Sequence, residues 1–201
     1  MSPQDLQRKI REHRSPFAVC FVVDNSWSVH ADRMVEKVKG IVFKLLEDAT
    51  GRGDKIALVA FRGGVAEATV VLPFTTSLAA ATRRLRSIPV SGQTPLADAL
   101  RRARILLRQE LFKHPSALPL LVCVTDGEAT VPLQGSGDAR ADVLLEGRAL
   151  RRAGVVCVVG DSSVAPGRGC AADLAKVSGG VVLPAAELAP RVLLDLLERI
   201  G

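Results

Sequence analysis

The sequence predicts an α/β fold: a doubly wound, mostly parallel six-stranded sheet with one antiparallel edge strand and helices on both faces. Three observations carry this. Apolar runs such as FAVCFVV and LPLLVCV are continuous rather than alternating, as in strands covered on both faces. Stretches with helical periodicity separate most of these runs, which is the pattern of parallel strands joined by crossover helices. The exception is KIALVAF and EATVVLPF, separated only by a short segment holding Gly63-Gly64, which reads as a hairpin and so as the antiparallel pair.

In order, the first strand spans residues 17–23. Ala31, Val35, Val38, Val42, Leu45 and Ala49 then recur at helical spacing and give one long amphipathic helix. GRGD breaks it before strands at 55–61 and 67–74, the second carrying Pro73, which suits an edge or a strand end. A short helix at 77–87 precedes SGQTPL. A stronger helix follows at 96–112, its apolar face Leu96, Ala99, Leu100, Ala103, Leu107 and Leu111 opposed by arginines. The central strand LPLLVCVTDG (118–127), a helix at 139–153, a strand at 155–160, a helix at 171–177, a short strand at 180–184 and an amphipathic helix at 190–200 complete the chain. No linker, repeat or low-complexity segment divides it, so the expectation is one domain, 17–201, behind a basic N-terminal extension, 1–16.

Composition narrows the class. Of 201 residues 48% are hydrophobic but only 3% aromatic, with no tyrosine, so the core is aliphatic. No apolar run approaches the ~18 residues of a membrane span. The polar, basic N-terminus lacks the apolar centre of a signal peptide, so the expected address is cytoplasmic, with no membrane partner. The four cysteines form no C-x-x-C pair. Three lie in strand-like apolar runs, where a thiol packs as a small hydrophobe rather than binding zinc or forming a disulfide framework. The net charge of +6 raises nucleic acid as a partner, yet the arginines fall on polar helix faces. No helix-turn-helix, zinc finger or aromatic platform accompanies them. A solvated face is the simpler account, and it would also attract an acidic protein.

Chemistry concentrates in three loops. After the first strand, D-N-S-W-S sets Asp24, Ser26 and Ser28 at alternate positions; Thr94 sits in SGQTPL; Asp126 ends the central strand in VTDG. Each has a plain structural role open to it. Asp24 or a serine can cap the following helix, Thr94 can cap the next with Pro95 in its first turn, and Asp126 can shape a turn before Gly127. But one helix needs one cap, and all five residues fall on the edge where the carboxyl ends of parallel strands bind ligands. Three hydroxyls and two carboxylates are hard oxygen donors, a set that suits Mg²⁺ rather than Zn²⁺.

These residues resemble the metal-ion-dependent adhesion site of von Willebrand factor A domains: D-x-S-x-S after the first strand, a threonine in a G-x-T-P-L loop, and T-D-G after a central strand. The resemblance covers essentially the whole chain. Through KIREHRSPFAVCFVVD, RGDKIALVAFRG, GQTPLADAL, LLVCVTDGEATVPL and LAKVSGG it is similar to the C-terminal domain of the magnesium chelatase D subunit, with cobaltochelatase relatives close by. The resemblance implies a von Willebrand factor A fold and an Mg²⁺ (or Mn²⁺) held by Asp24, Ser26, Ser28, Thr94 and Asp126. It implies docking of an Asp or Glu of a partner onto the metal, the partner being an AAA+ ATPase or a large chelatase subunit, in a non-catalytic role. Trp27 departs from the pattern, standing where the first loop commonly has glycine; an indole there either contacts a partner or packs over the loop. The AAA+-like domain and acidic, proline-rich linker of the D subunit have no counterpart in these residues, as expected of a free-standing relative or a shortened form.

The competing reading is an enzyme using Mg²⁺ for hydrolysis or phosphoryl transfer, with Asp32, Glu67 and Glu128 as nearby carboxylates but no evident orienting partner. Gly160-Asp161-Ser162 is a nucleophile motif only with a histidine base, and His13, His30 and His114 all precede it. No phosphate-binding G-x-x-x-x-G-K-[ST] loop is present. Arg52-Gly53-Asp54 spells an adhesion tripeptide but sits at a helix–strand junction. A nucleic-acid module is the weakest alternative.

Overall fold

The computed structural model describes residues 15–25, 31–48, 53–61, 67–86, 88, 92–163 and 170–200. Their order is β1 (Phe17–Val23), α1 (Ala31–Asp48), β2 (Lys55–Phe61), β3 (Ala68–Thr75), α2 (Leu78–Arg84), α3 (Leu96–Lys113), β4 (Leu118–Thr125), α4 (Ala139–Arg152), β5 (Val156–Asp161), α5 (Ala171–Ser178), β6 (Val181–Pro184), a 3₁₀ turn (Ala185–Glu187) and α6 (Pro190–Ile200). The six strands form one sheet in the order β3-β2-β1-β4-β5-β6. Only the β2–β3 pair is antiparallel. The predicted hairpin glycines, Gly63 and Gly64, lie outside the described residues.

Side chains along a strand point alternately to its two faces, and β1 divides its seven residues accordingly. Ala18, Cys20 and Val22 pack under α3, α4 and α5, together with Leu100, Ala103, Leu107 and Leu150. Phe17, Val19, Phe21 and Val23 pack against the α1 stripe Val35, Val38, Val42 and Leu45, with Leu85 just after α2 and Leu193 from α6. All seven β1 residues are buried. Each fully buried Leu, Val or Phe contributes roughly 1.5–3 kcal/mol of transfer free energy, so two stacked cores explain why a chain poor in aromatics holds one large sheet.

The sheet edges are built differently. β3 has an extra residue between its Thr75 pairing with Ile56 and its Leu72 pairing with Leu58, and Pro73 sits in that irregular stretch. A bulge and a proline leave an edge poorly suited to further pairing. At the other edge β6 meets β5 through Gly180. A Cβ there would lie 2.1 Å from the Cys157 carbonyl oxygen, so only glycine admits this approach.

From β1 the chain moves outward to β2 and β3. It then returns through α3 to start β4 on the opposite side of β1. The loops after β1 and β4 therefore diverge to opposite faces, leaving a crevice at the carboxyl ends of these two adjacent parallel strands. Among the described residues no helix is long and apolar enough to cross a membrane.

Candidate functional site

The crevice is organised by the register of β1 on β4. Val23 lies opposite Val124, and the Asp24 N–H donates to the Val124 carbonyl at 2.8 Å, extending the ladder by one residue. This places Asp24 beside Thr125. The Thr125 hydroxyl donates to Asp24 Oδ2 at 2.9 Å and accepts the Gly127 N–H at 3.0 Å. Thr125 is fully buried and Asp24 is only 8% exposed. Burying a carboxylate is costly unless its oxygens find donors or a cation, and Thr125 supplies one donor.

Asp126 follows, half-buried, with Oδ1 accepting the Glu128 N–H at 3.0 Å in an Asx turn. Gly127 has φ 81°, a left-handed conformation that glycine adopts without strain and that turns the chain sharply off the sheet. Its carbonyl accepts both the Cys170 N–H and the Cys170 Sγ at 3.0 Å, so the start of α5 holds the turn in place.

Thr94 arrives from another part of the chain and is 4% exposed. Its N–H donates to Thr130 Oγ1 at 2.9 Å and its carbonyl accepts the Thr130 N–H at 3.2 Å. These two bonds tie the loop before α3 to the loop that carries Asp126. Helix capping is not the role of Thr94: α3 begins at Leu96, with Pro95 in the cap position and no side-chain cap hydrogen bond. Of the five oxygen-bearing residues singled out in the sequence, Asp24, Thr94 and Asp126 thus lie on loops joined at one end of the sheet. Ser26 and Ser28, with Trp27 between them, lie outside the described residues.

Two residues of this edge have roles that the D-x-S-x-S and T-D-G motifs do not declare. Thr125 is one. Asn25 is the other: 1% exposed, it donates through Nδ2 to the Phe61 carbonyl at 3.1 Å and accepts the Phe61 N–H at 2.8 Å, locking the ends of β1 and β2 together. The available signal was a pair of polar residues directly after apolar strands, beside the candidate ligands.

Among the described residues no group of three or more His, Cys, Asp or Glu side chains could hold a metal. All four cysteines are free and buried. Burial pushes the Cys157 and Cys170 thiols up to about 11, and Cys123 well above its ordinary value with the Asp24 charge adding to the effect. They stay protonated and do not serve as thiolate ligands. His114 ends α3 and contacts Lys55 at the start of β2, the opposite end of the sheet from Ser162. His13 and His30 lie outside the described residues. Asp54 is buried and accepts the Phe17 N–H at 2.9 Å, so it is not part of a displayed tripeptide. Glu67 is exposed and faces Arg102 at 3.8 Å, and Glu128 is also exposed; the Asp32 side chain lies outside what is described.

The chain is similar to known proteins in sequence and in fold. The sequence model of the von Willebrand factor type A domain matches residues 19–128. A protein of unassigned function from Mycobacterium tuberculosis is 40% identical over 185 residues, covering 90% of this chain and 28% of its own length. The magnesium-chelatase 60 kDa subunit of Cereibacter sphaeroides is 36% identical over 167 residues, 82% of this chain and 29% of the subunit. The chain thus spans less than a third of either relative. Among solved structures, the SpRpn10 VWA domain superposes with a TM-score of 0.65 at 11% identity, covering 90% of this chain and 95% of that one. Manganese-loaded TRAP protein of Plasmodium vivax superposes with a TM-score of 0.54 at 15% identity, covering 86% and 70%. At these identities the structural likeness speaks for the fold alone.

Proposed function

Because the chain belongs to the von Willebrand factor type A domain family, matched by the family's sequence model over more than half its length, we propose that the β1–β4 crevice is a divalent-cation site through which the domain docks a carboxylate of a partner protein. The observation that carries the reading is the junction of three loops at the topological switch point. Asp24 is tied to Thr125 across the strands, and Thr94 is tied through Thr130 to the loop of Asp126.

The donor set fits the group. Asp24 and Asp126 with the hydroxyls of Thr94, Ser26 and Ser28 are all hard oxygens, and two carboxylates are what Mg²⁺ commonly takes while keeping other positions for water. Mn²⁺ accepts the same donors, and a structural neighbour is named as manganese-loaded. When bound, the ion supplies an open coordination position for an oxygen of an incoming Asp or Glu. The protein's own part is to hold its ligands rigid: Thr125 orients Asp24, the Asx turn and Cys170 fix the Asp126–Gly127 corner, and Asn25 keeps β1 and β2 in step. Two carboxylates about neutralise a divalent ion, so a further anion is not repelled.

Relatives named as magnesium-chelatase subunits point to the setting. The partner in this reading is an AAA+ ATPase or a large chelatase subunit, and the domain is its non-catalytic docking module, in the cytoplasm. The test is a titration of purified chain with MgCl₂ and MnCl₂ by calorimetry, alongside capture of chelatase subunits with Mg²⁺ or with EDTA. Asp126→Ala is expected to weaken cation binding by at least about tenfold, roughly the loss of one charged ligand, and to abolish capture while leaving the fold intact. Capture that survives both EDTA and Asp126→Ala sinks the proposal.

A further inference from the structure

The geometry points to a second docking surface, on the outer faces of α3 and α4, that accepts an acidic amphipathic helix of a partner protein. On α3, Ile105, Arg108 and Phe112 fall at i, i+3 and i+7 and so form one stripe. Ile105 is 43% exposed and Phe112 88%. They border an open depression of about 430 Å³ on the α3 face, completed by Arg104, Gln109 and Lys113. On α4, Leu145, Arg148 and Arg152 repeat the same spacing, with Leu145 55% exposed. The two helices are fastened side by side, since Arg101 and Arg104 of α3 both reach Glu146 of α4, at 3.3 and 2.8 Å.

Charge decides the occupant. Arg108, Lys113, Arg148 and Arg152 are exposed and form no ion pair among the described residues. The carboxylates nearest in these helices, Glu110 and Glu146, are buried and already paired. The two joined helices therefore present exposed apolar anchors in a positive frame, Ile105 and Phe112 on α3 and Leu145 on α4. Single exposed apolar residues are ordinary, but an aromatic with aliphatic neighbours among arginines is the composition of a protein interface. A second copy of this chain would bring like charge against like. Nucleic acid would meet Ile105, Phe112 and Leu145 where its phosphates need polar groups. A helix with apolar residues along one side and Glu or Asp flanking them satisfies both features, in the helix-in-groove mode.

The experiment uses the full chain and a fluorescein-labelled synthetic helix with leucines at i, i+3 and i+7 flanked by glutamates. Its controls are a scrambled peptide of equal composition and a DNA duplex, with anisotropy as the readout. The helix is expected to bind more tightly than the scrambled peptide, to weaken as salt rises, and to lose about tenfold or more with Phe112→Ala or with Arg108→Glu. Both residues are exposed, so the fold should tolerate either change. Binding is expected to be the same in EDTA and in Asp126→Ala, which separates this surface from the cation site. Equal binding of the scrambled peptide, no saturable binding of the helix, indifference to Phe112→Ala, or tighter binding of the duplex would each overturn the assignment.

Discussion

Thr125 is the single residue on which the strand ends depend most. Its hydroxyl gives one hydrogen bond to Asp24 and takes one from Gly127, with no exposure to water. Thr125→Val keeps the shape and removes both bonds. Asp24 Oδ2 and the Gly127 N–H each lose this buried bond, a combined cost of about 1–3 kcal/mol. Urea unfolding should show destabilisation in that range, and added Mg²⁺ should raise the melting temperature of this variant less than that of wild type. Residue identities of this kind were only partly legible. A D-x-S-x-S run followed by T-D-G declares its oxygens by type and spacing. That Thr94 is tied to the loop of Asp126 rests on a bond to Thr130, 36 positions away, which no local pattern reveals. Asn25 hides for the same reason, since its partner is the backbone of Phe61.

At the level of elements the reading from periodicity held well. The long amphipathic helices and fully apolar strands are set by burial, and burial is written in the sequence. Their ends moved by one to three residues: the helix expected at 77–87 runs Leu78–Arg84, capped by Ser77, whose side chain accepts the Ala80 N–H. Strand order was not legible, because it depends on which face each crossover takes. Close approaches between elements were equally silent. Gly180 reads in the sequence only as the first residue of the strand at 180–184, yet its task is to let β6 lie against β5. Gly180→Ala sets a methyl against a backbone carbonyl that cannot rotate away. The expected cost is about 3 kcal/mol, the upper end of overpacking penalties. Thermal unfolding should show it, together with faster amide exchange in β6.

Across the whole molecule the buried thiols link stability to pH. Cys157 and Cys170 are raised by burial from an ordinary 9.0 to about 11, Cys20 is raised further, and Cys123 is raised well above its ordinary value. The unfolded chain releases these protons near pH 9 while the folded chain keeps them. Between those values the unfolded state binds fewer protons, so stability is fully present below about pH 9 and declines as pH rises beyond it. Urea midpoints measured from about pH 8 to about pH 10.5 should fall, and Cys123→Ala should flatten the slope. A flat profile in wild type would mean that the thiols titrate alike in both states.

The pairing of β1 with β4 also sets the order in which this molecule can be made. Asp24 and Thr125 stand 101 positions apart, and between them the chain completes α1, β2, β3, α2 and α3. During synthesis β1 can acquire β2 on one side long before β4 emerges. Its other side then remains an open, wholly apolar edge, the kind of edge that recruits foreign strands. A nascent or truncated chain ending before Leu118 carries that hazard in full. The same long closure that assembles the crevice makes the half-made domain a natural client for chaperones.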